Sequence, residues 1–331
     1  MPLSLYNLRG LRSGSTAPAS SEPSKPSPVS PPSPITFHPT PSPPPQNQIL
    51  ILPPTSTTSL PHISPTDLKL LRKKQSKLRL TAPSTLSSTL SVSSPDIRNA
   101  LNATLIFAQH EAGTAVLIHA SGWALTCAHC FGEDEEEYKA GSKRRWMLFY
   151  TGDAVLVECR AWDAVRDLAL LRIVAVESHV AGPIIGKKEI STPSFHAVDM
   201  YAGTMRYKMR ILCIGQPGRD DLESKECKKT TYDLVEVSQG AFRGMVQGVD
   251  VQDNGEIGTL MHDAWTYWGH SGAPLVREAD GKLVGLHSSW DDATGMRHGV
   301  PVVAIREFLL EHLPVAVGGM TKSTAVDVDA L

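Results

Sequence analysis

Tyr267-Trp268-Gly269-His270-Ser271-Gly272-Ala273-Pro274-Leu275 sets one serine between two glycines and runs on through a proline into an apolar stretch. A serine hydroxyl is a poor nucleophile until a base takes its proton and nearby donors receive the oxyanion that its attack creates. Glycines on either side let the backbone turn sharply, so the amides of Gly269 and Ser271 can converge on one point. Two upstream segments supply what such a serine needs. Trp123-Ala124-Leu125-Thr126-Cys127-Ala128-His129-Cys130 is an apolar strand that ends in a histidine. Arg166-Asp167-Leu168-Ala169-Leu170-Leu171-Arg172-Ile173 places an aspartate at the head of another. Taken singly, His129 reads as a core histidine, Asp167 as a loop cap and Ser271 as a turn serine. Together, in the order His, Asp, Ser, they form a nucleophile, base and orienting acid set.

These segments resemble those of the trypsin-like serine peptidases. Thr126-Cys127-Ala128-His129-Cys130 is similar to the family's T-A-A-H-C, Asp167 to Leu171 to its D-I-A-L-L, and Gly269 to Pro274 to its G-D-S-G-G-P. The HtrA-like branch, which lacks disulfides, fits better still. Cys213-Ile214-Gly215-Gln216-Pro217-Gly218 is similar to A-I-G-N-P-x-G, and His262-Asp263-Ala264 stands ahead of Gly269 as T-D-A does in that branch. Gly299-Val300-Pro301-Val302-Val303 stands where G-F-A-I-P is found. The resemblance runs from about residue 100 to 313. It implies catalysis by His129, Asp167 and Ser271 and an oxyanion hole at Gly269 and Ser271. It also implies a substrate surface at Trp265, Ser288, Ser289, Trp290 and Gly299. The expected activity is serine endopeptidase action on polypeptides through an acyl-enzyme. The alternative is a catalytically silent trypsin-fold binding module or adaptor.

The departures carry information too. His270 replaces the aspartate that receives a freed N-terminus in secreted trypsins, so that activation switch is not expected. Ala273 replaces a glycine that supplies no oxyanion donor. Only 18 residues follow Leu313, too few for the PDZ domain of most HtrA relatives. Position 265, six before Ser271, holds a tryptophan where a trypsin has an acid, so a demand for Lys or Arg is not expected. Trp265 and Trp290 narrow or block the pocket in that reading.

Composition divides the chain. Residues 1–65 hold 17 of the 25 prolines, set among serines and threonines, and such a segment has too little apolar surface to offset its ordering entropy. A disordered Pro/Ser-rich arm is therefore expected over 1–95, and a chain starting near Ser94 is expected to fold. The basic run Lys69 to Arg79 reads as a solvated flank of that arm. A peptidase domain is expected over 96–313, with barrels at about 96–180 and 200–313, and a flexible tail over 314–331.

The pattern within 96–313 is one of short apolar or alternating runs separated by glycine-bearing turns. Thr104–Gln109, Ala115–His119, Trp123–Thr126, Trp146–Tyr150, Ala154–Ala161 and Leu168–Val174 form a first set of predicted strands. Met209–Ile214, Leu234–Val237, Gly240–Gln247, Gly258–Met261, Ala273–Arg277 and Leu283–Ser288 form a second. Val303–Leu313 has helical spacing, and the acidic run Glu133 to Glu137 reads as a solvated loop. The fold class expected is all-β: two antiparallel six-stranded barrels of chymotrypsin type with a C-terminal helix.

The five cysteines make an odd set, and the strand before His129 offers Cys130 no partner. With no secretory signal, this suits a reducing compartment. An intracellular site, cytoplasmic or nuclear, is expected. Mitochondrial import is the lesser alternative, on Arg9 and Arg12 with no acid before Glu22. Cys127-Ala128-His129-Cys130 has a C-x-x-C form, but no second ligand pair follows, so neither metal nor cofactor is expected. With no window of 18 apolar residues and a net charge of −2, neither a membrane nor a nucleic-acid partner is expected. Polypeptide substrates are the expected partners, and the oligomeric state is left open.

Overall fold

The computed structural model describes residues 48–52, 59–92, 96–109, 113–177, 193–219 and 229–314. Strands β2 (Thr104–Phe107), β3 (Thr114–His119), β4 (Trp123–Thr126), β5 (Arg144–Phe149), β6 (Ala154–Asp163) and β7 (Leu168–Glu177) form the first barrel. Their order is β7-β4-β3-β2-β5-β6, closed by antiparallel pairing of β6 with β7. Strands β8 (Arg210–Gly215), β9 (Glu236–Met245), β10 (Leu260–His262), β11 (Pro274–Arg277), β12 (Leu283–Trp290) and β13 (Arg297–Pro301) close the second in the order β10-β13-β12-β11-β8-β9. The double-barrel expectation holds, with two differences in its strands. The predicted strands at 234–237 and 240–247 are one continuous β9, and β13, read only as a motif, supplies the sixth. Strand β1 (Leu50–Leu52) lies outside the first barrel and pairs parallel with β7.

Part of the expected disordered arm is folded. Residues 1–47 lie outside the described residues, but helix α1 (Pro65–Val92) is built and packed. Ser64 caps it: its hydroxyl accepts the Asp67 amide at 3.1 Å and donates to the Asp67 carboxylate at 2.7 Å, with Pro65 at the first helical position. Leu71, Lys74, Gln75 and Leu78 are all buried, and their spacing of three, one and three residues is one helical face. The Lys74 ammonium donates to the carbonyls of Phe107 and Gln109, each at 2.8 Å. The Gln75 amide donates to the Gly152 carbonyl and to Glu177, each at 3.0 Å. The basic run is thus not a solvated flank: its inward members satisfy backbone at the edge of the first barrel.

A short helix α2 (Ile97–Ala103) leads into β2 with Ile97, Ala100 and Leu101 buried. The acidic run, expected as a loop, forms the one-and-a-half-turn helix α3 (Glu135–Ala140), capped by Asp134 accepting the Glu137 amide at 2.9 Å. Helix α4 (Val302–His312) closes the chain against the second barrel with Ile305, Phe308 and Leu309 inward. Among the described residues no helix is long and apolar enough to cross a membrane. Most of the stretch between the two predicted sets of strands, 178–192, and of the tail, 315–331, lies outside the described residues.

Candidate active site

Pairing of β4 with β7 sets Thr126 opposite Ala169. His129, on the 3₁₀ turn Ala128–Cys130 just past β4, therefore comes beside Asp167, just before β7. Asp167 sits at φ 51°, a left-handed conformation that aspartate tolerates better than most residues. Its buried carboxylate receives His129 Nδ1 at 2.9 and 3.0 Å, the His129 backbone amide at 3.2 Å and the Ser288 hydroxyl at 2.7 Å. Burial alone would raise the Asp167 carboxyl, but His129 and these donors hold it below its ordinary value. Burial likewise works against the imidazolium, yet the Asp167 charge and hydrogen bond leave His129 raised.

The serine arrives from the second barrel. A turn closes from the His270 amide to the Tyr267 carbonyl at 3.0 Å, with Gly269 at φ 98° in its third position. A positive φ there is the mark of a type II turn and is why that residue is glycine. The Trp268 carbonyl accepts the Gly218 amide, and in a planar trans peptide this aims the Gly269 N–H the opposite way. Among the described residues, neither the Gly269 nor the Ser271 amide donates to a protein acceptor. Gly272, at φ 80°, has no room for a side chain: a Cβ would lie 2.1 Å from the Thr114 carbonyl. Thr114 grips the loop from β3, its amide donating to Ser271 O at 2.9 Å and its hydroxyl to Gly269 O at 3.3 Å. The Ser271 hydroxyl donates to the Ser288 carbonyl at 3.4 Å and, among the described residues, not to His129.

Residues 113–286 match the trypsin-like peptidase domain family, more than half of the 331-residue chain. The chain belongs to the trypsin-like peptidase family. Among solved structures it is similar to a serine endoprotease from Yersinia pestis, with 18% identity over 65% of this chain and a TM-score of 0.45. That alignment spans 64% of the other protein's length. No curated protein sequence matches the chain.

In this trypsin-like chain the expected substrate residues divide. Trp265 and Trp290 line a cavity of about 310 Å³. The Trp268 and Trp290 rings meet edge-on at 4.5 Å between centroids beside it. Ser288 instead sits between Asp167 and Ser271, Ser289 accepts the Gly258 amide at 3.4 Å, and Gly299 is packed where a Cβ would lie 2.4 Å from the Leu286 carbonyl. The thiols of Cys127, Cys130, Cys159 and Cys213 are free, and Cys227 lies outside the described residues. Cys127, His129 and Asp167 place ligand-type atoms within 4.8 Å of one another. Burial drives the Cys127 thiol well up, its Sγ donates to the His287 carbonyl at 3.4 Å, and His129 Nδ1 is committed to Asp167.

Sequence reasoning missed the histidines under the loop that carries Ser271. His262, His270 and His287 are fully or nearly fully buried, with His262 Nε2 3.1 Å from His287 Nδ1. His270 packs so tightly on Gly215 that a Cβ there would lie 2.6 Å from the ring, which explains that motif glycine. Burial pushes His262 down to about 3, His270 to about 4, and His287 well below its ordinary value. In the unfolded chain these groups titrate near 6.5. Below that pH the unfolded chain therefore binds up to three more protons, and stability falls as pH falls, by at most about 4 kcal/mol per pH unit. His129, raised in the fold, is protonated in both states below 6.5 and adds no slope there. Thermal unfolding is expected to show a steep loss of midpoint already between pH 6.5 and 5, above the carboxylate range. A flat midpoint across that interval would contradict neutral burial of the three rings.

Proposed function

We propose that the chain is a serine endopeptidase that hydrolyses peptide bonds through Ser271, His129 and Asp167. The reading rests chiefly on one observation: a buried Asp167 carboxylate holds Nδ1 of a partly exposed His129, which leaves Nε2 free to take a proton. Rotation of the Ser271 side chain from the Ser288 carbonyl toward Nε2 would let His129 accept the hydroxyl proton as Ser271 attacks a substrate carbonyl. The uncommitted amides of Gly269 and Ser271 would receive the oxyanion. His129 then returns the proton to the leaving amine, and water repeats the sequence on the acyl-enzyme. Polypeptides are the substrates, lying along the end of β12.

A binding module is the second reading, favoured by the Ser271 hydroxyl bonding to Ser288 and by the Trp268–Trp290 contact. The pH profile separates the two. The base must be neutral, so kcat/KM should rise with pH through a limb above the ordinary histidine value, since His129 is raised. Asp167→Asn should lower kcat by about 10⁴-fold, the cost of a mis-set imidazole tautomer, and move the limb down. Absence of hydrolysis of unfolded casein at any pH by folded protein would favour the module.

A further inference from the structure

The cavity beside the nucleophile has a charge arrangement that the catalytic reading does not use. Its wall at Trp290 lies two residues along β12 from Ser288, whose carbonyl accepts the Ser271 hydroxyl, so about 7 Å of strand separates them. Its opposite wall is Trp265 and Tyr267, on the segment leading to Ser271, with Tyr232 packed on both rings. Three residues that are charged at neutral pH line it: Asp291, Asp292 and Arg297.

The two aspartates are occupied. Asp291 accepts the Ala293 amide at 2.9 Å and the Thr294 hydroxyl at 2.6 Å, which shapes the turn between β12 and β13. Asp292 is exposed and accepts Trp290 Nε1 at 2.6 Å, which holds that indole in the wall. Arg297 is not balanced in this way. One guanidinium nitrogen donates to the Gly295 carbonyl at 2.9 Å. Its Nε is shut off from solvent with no acceptor, and among the described residues no carboxylate pairs with it. The other donors of a guanidinium, which carries five, are uncommitted.

Strand register says where this charge points. Arg297 lies directly across from Trp290 on β12 and from His262 on β10. Directly opposed residues share a face of a sheet, and His262 is fully buried, so Arg297 points inward with the cavity wall. The buried rings register its charge: after burial itself, Arg297 is the largest influence holding His262 down. A cation half-buried between aromatic walls, with its fork of donors open, fits a carboxylate that arrives on a short apolar stem.

We infer that this cavity binds an acidic side chain of the substrate, glutamate or aspartate on the acyl side of the cut bond, with Arg297 as its counter-charge. The inference rests on the peptidase reading above. The methylenes pack against Trp265 and Trp290 while the carboxylate meets Arg297. Lysine and arginine are disfavoured by like charge at that end of the cavity.

The full-length protein should be assayed on fluorogenic peptides that differ only at that residue, as Glu, Asp, Gln, Leu or Lys. The expected result is at least a 10-fold higher kcat/KM for Glu than for Gln or Lys. Arg297→Gln should erase that difference and Arg297→Glu should turn it toward Lys, with fluorophosphonate labelling of Ser271 unchanged in both. Binding of the same peptides to Ser271→Ala protein, read by tryptophan fluorescence, tests the cavity without chemistry. Equal affinity for the Glu and Gln peptides there, or an undiminished Glu preference in folded Arg297→Gln, overturns the inference even in an active peptidase. Loss of labelling in the parent protein would instead count against the peptidase reading alone.

Discussion

Ser271→Ala protein is expected to hydrolyse peptide substrates about 10⁶-fold more slowly than the parent, the loss seen when the nucleophile of a set acting as one unit is removed. The size of the effect follows from the geometry. His129 has one free ring nitrogen, and Asp167 spends its hydrogen bonds on His129 and Ser288. Neither can attack a carbonyl in the serine's place. The fold should tolerate the change, because the loop is held through backbone and not through the hydroxyl. Thr114 grips Ser271 O, and the Gly272 amide donates to the His287 carbonyl at 2.8 Å. Steady-state kinetics on one peptide, with unfolding curves for both proteins, measures this. A loss below about 10³-fold with an intact fold would mean that the hydroxyl is not the attacking group.

A chain that starts after helix α1, at residue 95, is expected to lose cooperative folding. Leu71 and Leu78 each bury a full leucine side chain, worth about 2–3 kcal/mol apiece. Lys74 and Gln75 donate to the carbonyls of Phe107, Gln109 and Gly152, and these hydrogen bonds contribute about 1.5–3 kcal/mol each from the charged ammonium and about 1 kcal/mol from the amide. The sum is on the order of 8–13 kcal/mol, comparable with the whole stability of an ordinary domain. The damage also reaches the site. Lys74 holds the end of β2, the Phe107 amide donates to the Gly113 carbonyl at 3.1 Å, and the next residue, Thr114, grips the loop that carries Ser271. Urea unfolding of the truncated and full chains, followed by circular dichroism, decides it. An unchanged midpoint would mean that α1 lies loosely on the barrel.

The missed helix shows where sequence reading stops. The face 71, 74, 75, 78 has helical spacing, but two of its four buried positions are lysine and glutamine. An apolar-pattern search therefore sees only two leucines in a basic run. Those side chains are buried because they reach specific carbonyls on distant loops, and a partner of that kind leaves no local trace. The barrel strands were legible for the opposite reason: β3, β4 and β7 are built on the apolar runs Ala115–Ile118, Trp123–Leu125 and Leu168–Leu171, which need no particular partner. His129, Asp167 and Ser271 stand out in the sequence as candidates because each sits in a motif. The buried histidines and Arg297 were not, since their roles come from what β10, β12 and β13 set side by side. The pairing of Trp290 with Arg297 is a property of register, which no reading of either strand alone supplies.

Activation of Ser271 by His129 is tested most directly by covalent labelling. Full-length protein, kept in reductant at neutral pH, should be treated with a fluorophosphonate and its mass and modified peptide determined. A single adduct on Ser271, absent from Ser271→Ala and strongly slowed in His129→Ala, is the predicted result. No adduct on cooperatively folded parent protein, or an adduct formed equally fast without His129, would contradict it.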